Sequence, residues 1–167
     1  MEEMRIRPAV YEDLQAILDI YAHARKQMAL CGNPRQWGTD KPSVETVRED
    51  IRKGQSYVIV KRGCICGVFA FMVGEEPTYR IIEDGAWLNR EPYGTVHRVA
   101  GNGQSHGILA AALSFCEEKA DNIRIDTHAD NTIMQHLLDQ YGYTKCGHIY
   151  VADKTQRIAY QKKVGRL

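Results

Sequence analysis

No Cys-x-x-Cys pair occurs among the five cysteines of this 167-residue chain, so neither a zinc-ribbon motif nor a thioredoxin-type redox motif is present. An odd set of cysteines suits free thiols in a reducing compartment. Cys64 and Cys66 are expected on one strand face as small apolar fillers. No apolar run approaches the roughly 20 residues that span a bilayer. The opening MEEMRIRP lacks the basic-then-apolar order of a secretory signal, so the expected location is cytoplasmic. Charge of one sign is not in excess either: 22 Lys and Arg stand against 21 Asp and Glu, scattered along the chain. That balance argues against nucleic-acid and membrane partners and for a small-molecule or peptide partner, and it leaves a homodimer open.

Two nucleotide signatures are missing as well. A dinucleotide G-x-G-x-x-G beginning at Gly101 and Gly103 needs glycine at 106, where His106 stands, and no G-K-[ST] tripeptide occurs. An unrelated nucleotide-binding α/β protein is therefore disfavoured. Asp126, His128 and Asp130 sit too close together in one turn to supply a full ligand set, so no metal site is assigned.

The elements that are present alternate with short connections. Met4 to Ala9 reads as a strand, and Leu14, Ile17, Leu18, Tyr21 and Met28 fall at helical spacing behind Glu12 and Asp13, which complement the helix dipole. A second helix carries Val44, Val47 and Ile51, with Gly54 as its stop. Tyr57 to Val60 and Cys64 to Val73 are β-rich, and Tyr93 to Ala100 is a further strand. A helix follows from Gly107 to Lys119, then the strand NIRID. A helix from Asn131 to Tyr141 is expected to be capped by Asp130, and strands Thr144–Val151 and Gln156–Lys162 close the chain. This order implies a single α/β (α+β mixed) domain over 1–167, with a mixed sheet covered on both faces.

The stretch GNGQSHGILAAAL, Gly101 to Leu113, lies at a strand-to-helix junction of that sheet. The first amides of a helix have no intrahelical partner, and with the dipole they attract anions such as phosphate. Gln104, two residues, then Gly107 resembles the Q/R-x-x-G-x-G/A pyrophosphate loop of the GNAT acetyltransferase superfamily. The segment IRIDTHADNTIMQHLLDQYGYTKCGHIYV is similar to that superfamily's closing region, with Asn131, Gly142, Tyr143 and Gly147 at the matching positions. The resemblance spans nearly the whole chain and is strongest from Tyr93 to Tyr160.

The resemblance implies a GNAT-like splayed, mostly antiparallel sheet that binds acetyl-CoA as acyl donor and passes the acetyl group to an amine. It places Val99, Ala100 and Gly101 along the pantetheine arm. Gln104, Ser105, His106, Gly107, Ile108 and Leu109 fall at the pyrophosphate, and Asn131 again at the pantetheine. Two positions depart from the pattern: Leu109 replaces a glycine or alanine in a shorter loop, and Leu138 stands where the family often carries an acidic tyrosine.

A thiol with pKa near 8.5 leaves as thiolate at pH 7 for about 2 kcal/mol, whereas deprotonating an alkylamine of pKa near 10.4 costs about 4 to 5 kcal/mol. A base matters more than an acid. His97, on the strand before the loop and on one face with Thr95 and Val99, is the first candidate, and His128 the alternative. Tyr150, alternating with Cys146, is a weaker one. Trp37, Tyr79 and Trp87 fall in irregular segments and are candidates to line an acceptor site. The competing reading is a non-catalytic acyl-CoA-binding regulatory module.

Overall fold

The computed structural model describes residues 3–165. Seven strands, β1 (Arg5–Pro8), β2 (Ser56–Lys61), β3 (Cys64–Val73), β4 (Gly94–Gly101), β5 (Asn122–Thr127), β6 (Thr144–Tyr150) and β7 (Gln156–Lys163), follow the sheet order β1-β2-β3-β4-β5-β7-β6. Four α-helices accompany them: α1 (Leu14–Leu30), α2 (Val44–Arg52), α3 (Ile108–Glu117) and α4 (Thr132–Gln140). The β1–β2, β2–β3, β5–β7 and β6–β7 pairs are antiparallel, and β4 pairs with β5 in parallel. That parallel pairing is confined to Gly94↔Ile123 and Thr95↔Arg124, although the strands are 8 and 6 residues long. The mixed, mostly antiparallel open sheet matches the expected fold class.

The chain forms two units: residues up to Phe71 with His97–Phe115, and Met72–Val96 with the residues from Cys116 onward. In the first unit, α1 and α2 bury Ile17, Ile20, Tyr21, Val47 and Ile51 against Val58 and Val68 of the sheet. The entry to α1 is fixed electrostatically. Asp13 accepts from Arg7 at 2.7 and 3.0 Å and from the Val10 amide at 2.9 Å. The Arg7 hydrogen bonds hold the Asp13 carboxyl below its usual pKa. A depressed folded-state pKa contributes stability above the unfolded value of about 3.9, and that stability is lost as pH falls through the lower folded value. Asp13→Asn is therefore expected to cost about 1–2 kcal/mol at neutral pH. In urea titrations the gap from wild type should close in acid; a gap that stays constant down to acid pH would remove the charge from this account.

In the second unit, Tyr79, Tyr93, Ile149 and Ala159 form the core cluster, with Ile82 and Trp87 packed on it. The segment from Gly74 to Pro92, which the sequence left unassigned, contains a 3-10 turn at Pro77–Tyr79 and is pinned to β6. Glu83 and His148 exchange two backbone hydrogen bonds of 2.9 and 2.8 Å. The chains approach so closely there that a Cβ at Gly85 would stand 1.8 Å from the Cys146 carbonyl oxygen, and one at Gly147 (φ +155°) 2.4 Å from that of Glu83. Both positions require glycine.

Local irregularities break the two-residue alternation expected of the strands. Ile59 pairs with Gly67 and Val60 with Ile65, so Cys66 bulges out of register. Cys66 is buried and Cys64 exposed, so the two do not serve as an equivalent pair of fillers. Lys145 pairs with Tyr160 and Gly147 with Ala159, which makes Cys146 a bulge residue. Cys146 is buried while Tyr150 is 40% exposed, and the bulge lies between them, so simple alternation along β6 does not relate the two.

Candidate functional site

The first unit presents a backbone cradle between β4 and α3. Gly107 takes φ +79°, a left-handed conformation that favours glycine, and ends the loop immediately before the helix. The first intrahelical bond runs from the Ala111 amide to the Gly107 carbonyl at 2.9 Å, so the amides just before Ala111 have no acceptor inside the helix. Nothing lies within 4 Å of where a Gly107 Cβ would be. The space on the Cβ side of Gly107 is open. At the other end of the loop, the Asn102 amide donates to the Cys66 carbonyl at 3.0 Å, and the Asn102 side chain accepts from the Gln104 amide at 3.0 Å. Gln104, His106 and Gly107 are exposed, and Ser105 and Ile108 half-buried. Leu109 is 7% exposed and belongs to the core, which is why this position carries a large apolar side chain here.

The strand that leads into the cradle is bent at Arg98, which has φ +53°. A non-glycine residue in that region needs compensation from its surroundings. Arg98 receives it from two sides: its guanidinium donates to Asp50 at 2.9 and 2.7 Å, and its carbonyl accepts from the Tyr21 hydroxyl at 2.9 Å. Sequence reasoning missed Tyr21, Asp50 and Arg98 as a unit, because the partners are 77 and 48 positions apart. The kink also changes the reading of His97. Alternation does not carry across Arg98, so His97 shares a face with Val99 only in an ideal strand; His97 and Val99 are half-buried and Ala100 is buried.

One capping assignment is corrected. The N-cap of α4 is Asn131, whose Oδ1 accepts from the Met134 amide at 3.1 Å, and not Asp130. The Asp130 amide donates to Nδ1 of His128 at 3.0 Å, so that ring is tied into the turn. Leu138 is 0% exposed and lies in the core. A tyrosine there would overpack the helix–sheet contact. Leu138→Tyr is accordingly expected to lower stability by about 1–3 kcal/mol. Chemical denaturation reads this, and a variant as stable as wild type would show that room exists for an acid at this position.

The aromatic candidates separate. Trp37 packs edge-on against Tyr21 at 5.5 Å in the first unit. Tyr79 and Trp87, in the second, lie 5.0 Å apart, and Trp87 Nε1 donates to the Tyr79 carbonyl at 2.9 Å. The Tyr79 hydroxyl donates to Asp126 at 2.6 Å, and burial followed by the Asp126 charge pushes its pKa well up. Tyr150 donates to Glu83 at 3.1 Å. Tyr79 and Trp87, with Tyr93, Asn89 and Arg124, line a cavity of about 770 Å³ in the second unit. Its most distinctive group is Arg124, only 5% exposed, with its guanidinium 4.1 Å from the Trp87 ring centre and 3.9 Å from that of Tyr93. Burial lowers the Arg124 pKa, yet arginine stays cationic in proteins.

No protein-family model matches the chain, and no curated protein matches its sequence. Solved structures do match. A GNAT-family acetyltransferase from Streptococcus agalactiae 2603 is 31% identical, with a TM-score of 0.89 over 98% of this chain and 96% of its own. A GNAT-family acetyltransferase from Listeria monocytogenes 4b F2365 shares the fold at 18% identity and a TM-score of 0.71, over 96% of this chain and 94% of that one. The yncA protein of Salmonella typhimurium, solved with its cofactor acetyl-CoA, does so at 15% identity and a TM-score of 0.61, over 98% and 95% of the two chains. With near-complete coverage, 31% identity and a TM-score of 0.89, the chain belongs to the GNAT acetyltransferase family.

Proposed function

We propose that this protein is an N-acetyltransferase that takes its acetyl group from acetyl-CoA and transfers it to an amine of a small molecule or peptide. The observation that carries this reading is the helix start at Gly107, where the first amides of α3 have no intrahelical acceptor and nothing lies within 4 Å of where a Gly107 Cβ would be. That donor set fits a pyrophosphate, because converging N–H groups and the helix dipole both favour an anion. When bound, acetyl-CoA supplies an acyl carbon activated as a thioester. The chain's own contribution is to hold and orient. Ser105, His106, Gly107, Ile108 and Leu109 offer backbone amides, whereas the Gln104 amide, also expected there, already donates to the Asn102 side chain; the kinked end of β4, Val99 to Gly101, offers backbone groups to an extended arm. His97 is assigned as the base that takes the amine proton as the new C–N bond forms and the C–S bond breaks; the departing thiolate is protonated from solvent.

The burial of Leu138 favours a second reading, a binding module that holds acyl-CoA without turnover, since no acid stands at that position. The two readings separate in one assay. A panel of primary amines with acetyl-CoA is expected to release free thiol with at least one acceptor, above the rate without amine. Binding of CoA with no amine-dependent release across the panel would select the module.

A further inference from the structure

Among the described residues, Arg124 is a buried cation of the second unit with no carboxylate partner. Its Nε donates to the Gln161 side-chain oxygen at 3.3 Å and one Nη to the Asn89 carbonyl at 3.0 Å, both neutral acceptors. Trp87 and Tyr93 cover it with ring faces. Burying an ion without a counter-charge is costly, and aromatic faces return only part of that cost. The acids on the cavity wall are already engaged: Glu75 pairs with Arg80 at 2.8 Å, and Glu91 accepts from Asn122 at 3.1 Å with Lys163 at 3.9 Å. Arg90, also on the wall, adds a further positive charge.

We propose that this cavity binds a small molecule through its carboxylate and that Arg124 selects for that carboxylate; on the acetyltransferase reading, such ligands are amino acids and related amino-carboxylates with an apolar or aromatic body. The inference rests on the acetyltransferase reading above and deepens it. A guanidinium fork matches a carboxylate, and ionic hydrogen bonds in a water-poor site strengthen it. Tyr79, Trp87, Tyr93 and Ile82 supply apolar wall for the rest of the molecule. Arg124 would act here as a specificity residue, touching the substrate away from the reacting nitrogen.

The test compares matched probes on the full-length protein: leucine, methionine and phenylalanine, their carboxamides, and the decarboxylated amines isoamylamine and phenethylamine. Equilibrium binding by calorimetry, with and without CoA, comes first because it does not require turnover. The acids are expected to bind at least about tenfold tighter than their amides, the range of a charge-assisted pair. Arg124→Met, close in length and uncharged, should abolish that preference, and Arg124→Lys should keep part of it. Where turnover is measurable, the same ratio should appear in kcat/KM, with CoA stabilisation unchanged in both variants.

Acids and amides binding alike in wild type, or a preference that survives in a folded Arg124→Met, would overturn the proposal, as would the absence of binding by every probe. If Arg124→Met does not fold, the wild-type acid-to-amide ratio and Arg124→Lys decide alone. Failure of the underlying acetyltransferase reading looks different: CoA would neither stabilise the protein nor release thiol, whichever amines bind.

Discussion

Gly107→Glu is expected to remove the whole of the thermal stabilisation that CoA confers on this protein. At a hundredfold excess over its dissociation constant, a ligand that binds only the folded state stabilises it by about 2.7 kcal/mol. For a chain of this length, that is a rise in Tm of roughly 5 to 11 °C. A glutamate at 107 would place a carboxylate in the open space on the Cβ side of this residue, against the same amides the pyrophosphate would use. The left-handed φ of +79° also strains any side chain, so Gly107→Asn, which tolerates that region and carries no charge, is the control. The asparagine variant should retain most of the shift. A full CoA shift in Gly107→Glu would make this loop a turn and nothing more, and NAD and ATP at matched concentration test whether the cradle discriminates.

His97→Ala should lower kcat for the best amine by at least about a hundredfold, within the 10²–10⁴ range of a general base, while leaving the CoA-dependent Tm shift nearly intact. The split between kcat and cofactor binding is what separates a proton acceptor from a packing residue. His97 is half-buried on β4, immediately before the kink at Arg98 that Asp50 and Tyr21 hold in place. If a folded His97→Ala binds CoA and turns over normally, the assignment moves to His128. There Nδ1 already accepts from the Asp130 amide, so Nε2 is the nitrogen that would act.

Much of the architecture was legible beforehand because it is local. Helical spacing located α1, α2, α3 and α4, and glycines at 54 and 107 marked a stop and a start that the structure keeps, with φ of +68° and +79°. The loop from Gln104 to Gly107 was visible because a glycine turn before a helix start is written in a few adjacent residues. The bulges were not. Cys66, Cys146 and the kink at Arg98 each break a period-2 pattern that the residues themselves display, since register depends on the neighbouring strand.

The sequence by itself determined the family, the element order, the cradle and its central glycine, because helix periodicity, turn chemistry and the unpartnered amides of a helix start act over a few residues. Tertiary structure alone decided the rest. It moved the α4 cap from Asp130 to Asn131, buried Leu138, sent Trp37 to the core of one unit and Tyr79 with Trp87 to a cavity in the other, and set Arg124 between two rings with no counter-charge among the described residues. Each of these outcomes depends on which distant residues fill the space beside a side chain. Burial and charge pairing are properties of that packed neighbourhood and carry no short-range signature in the chain.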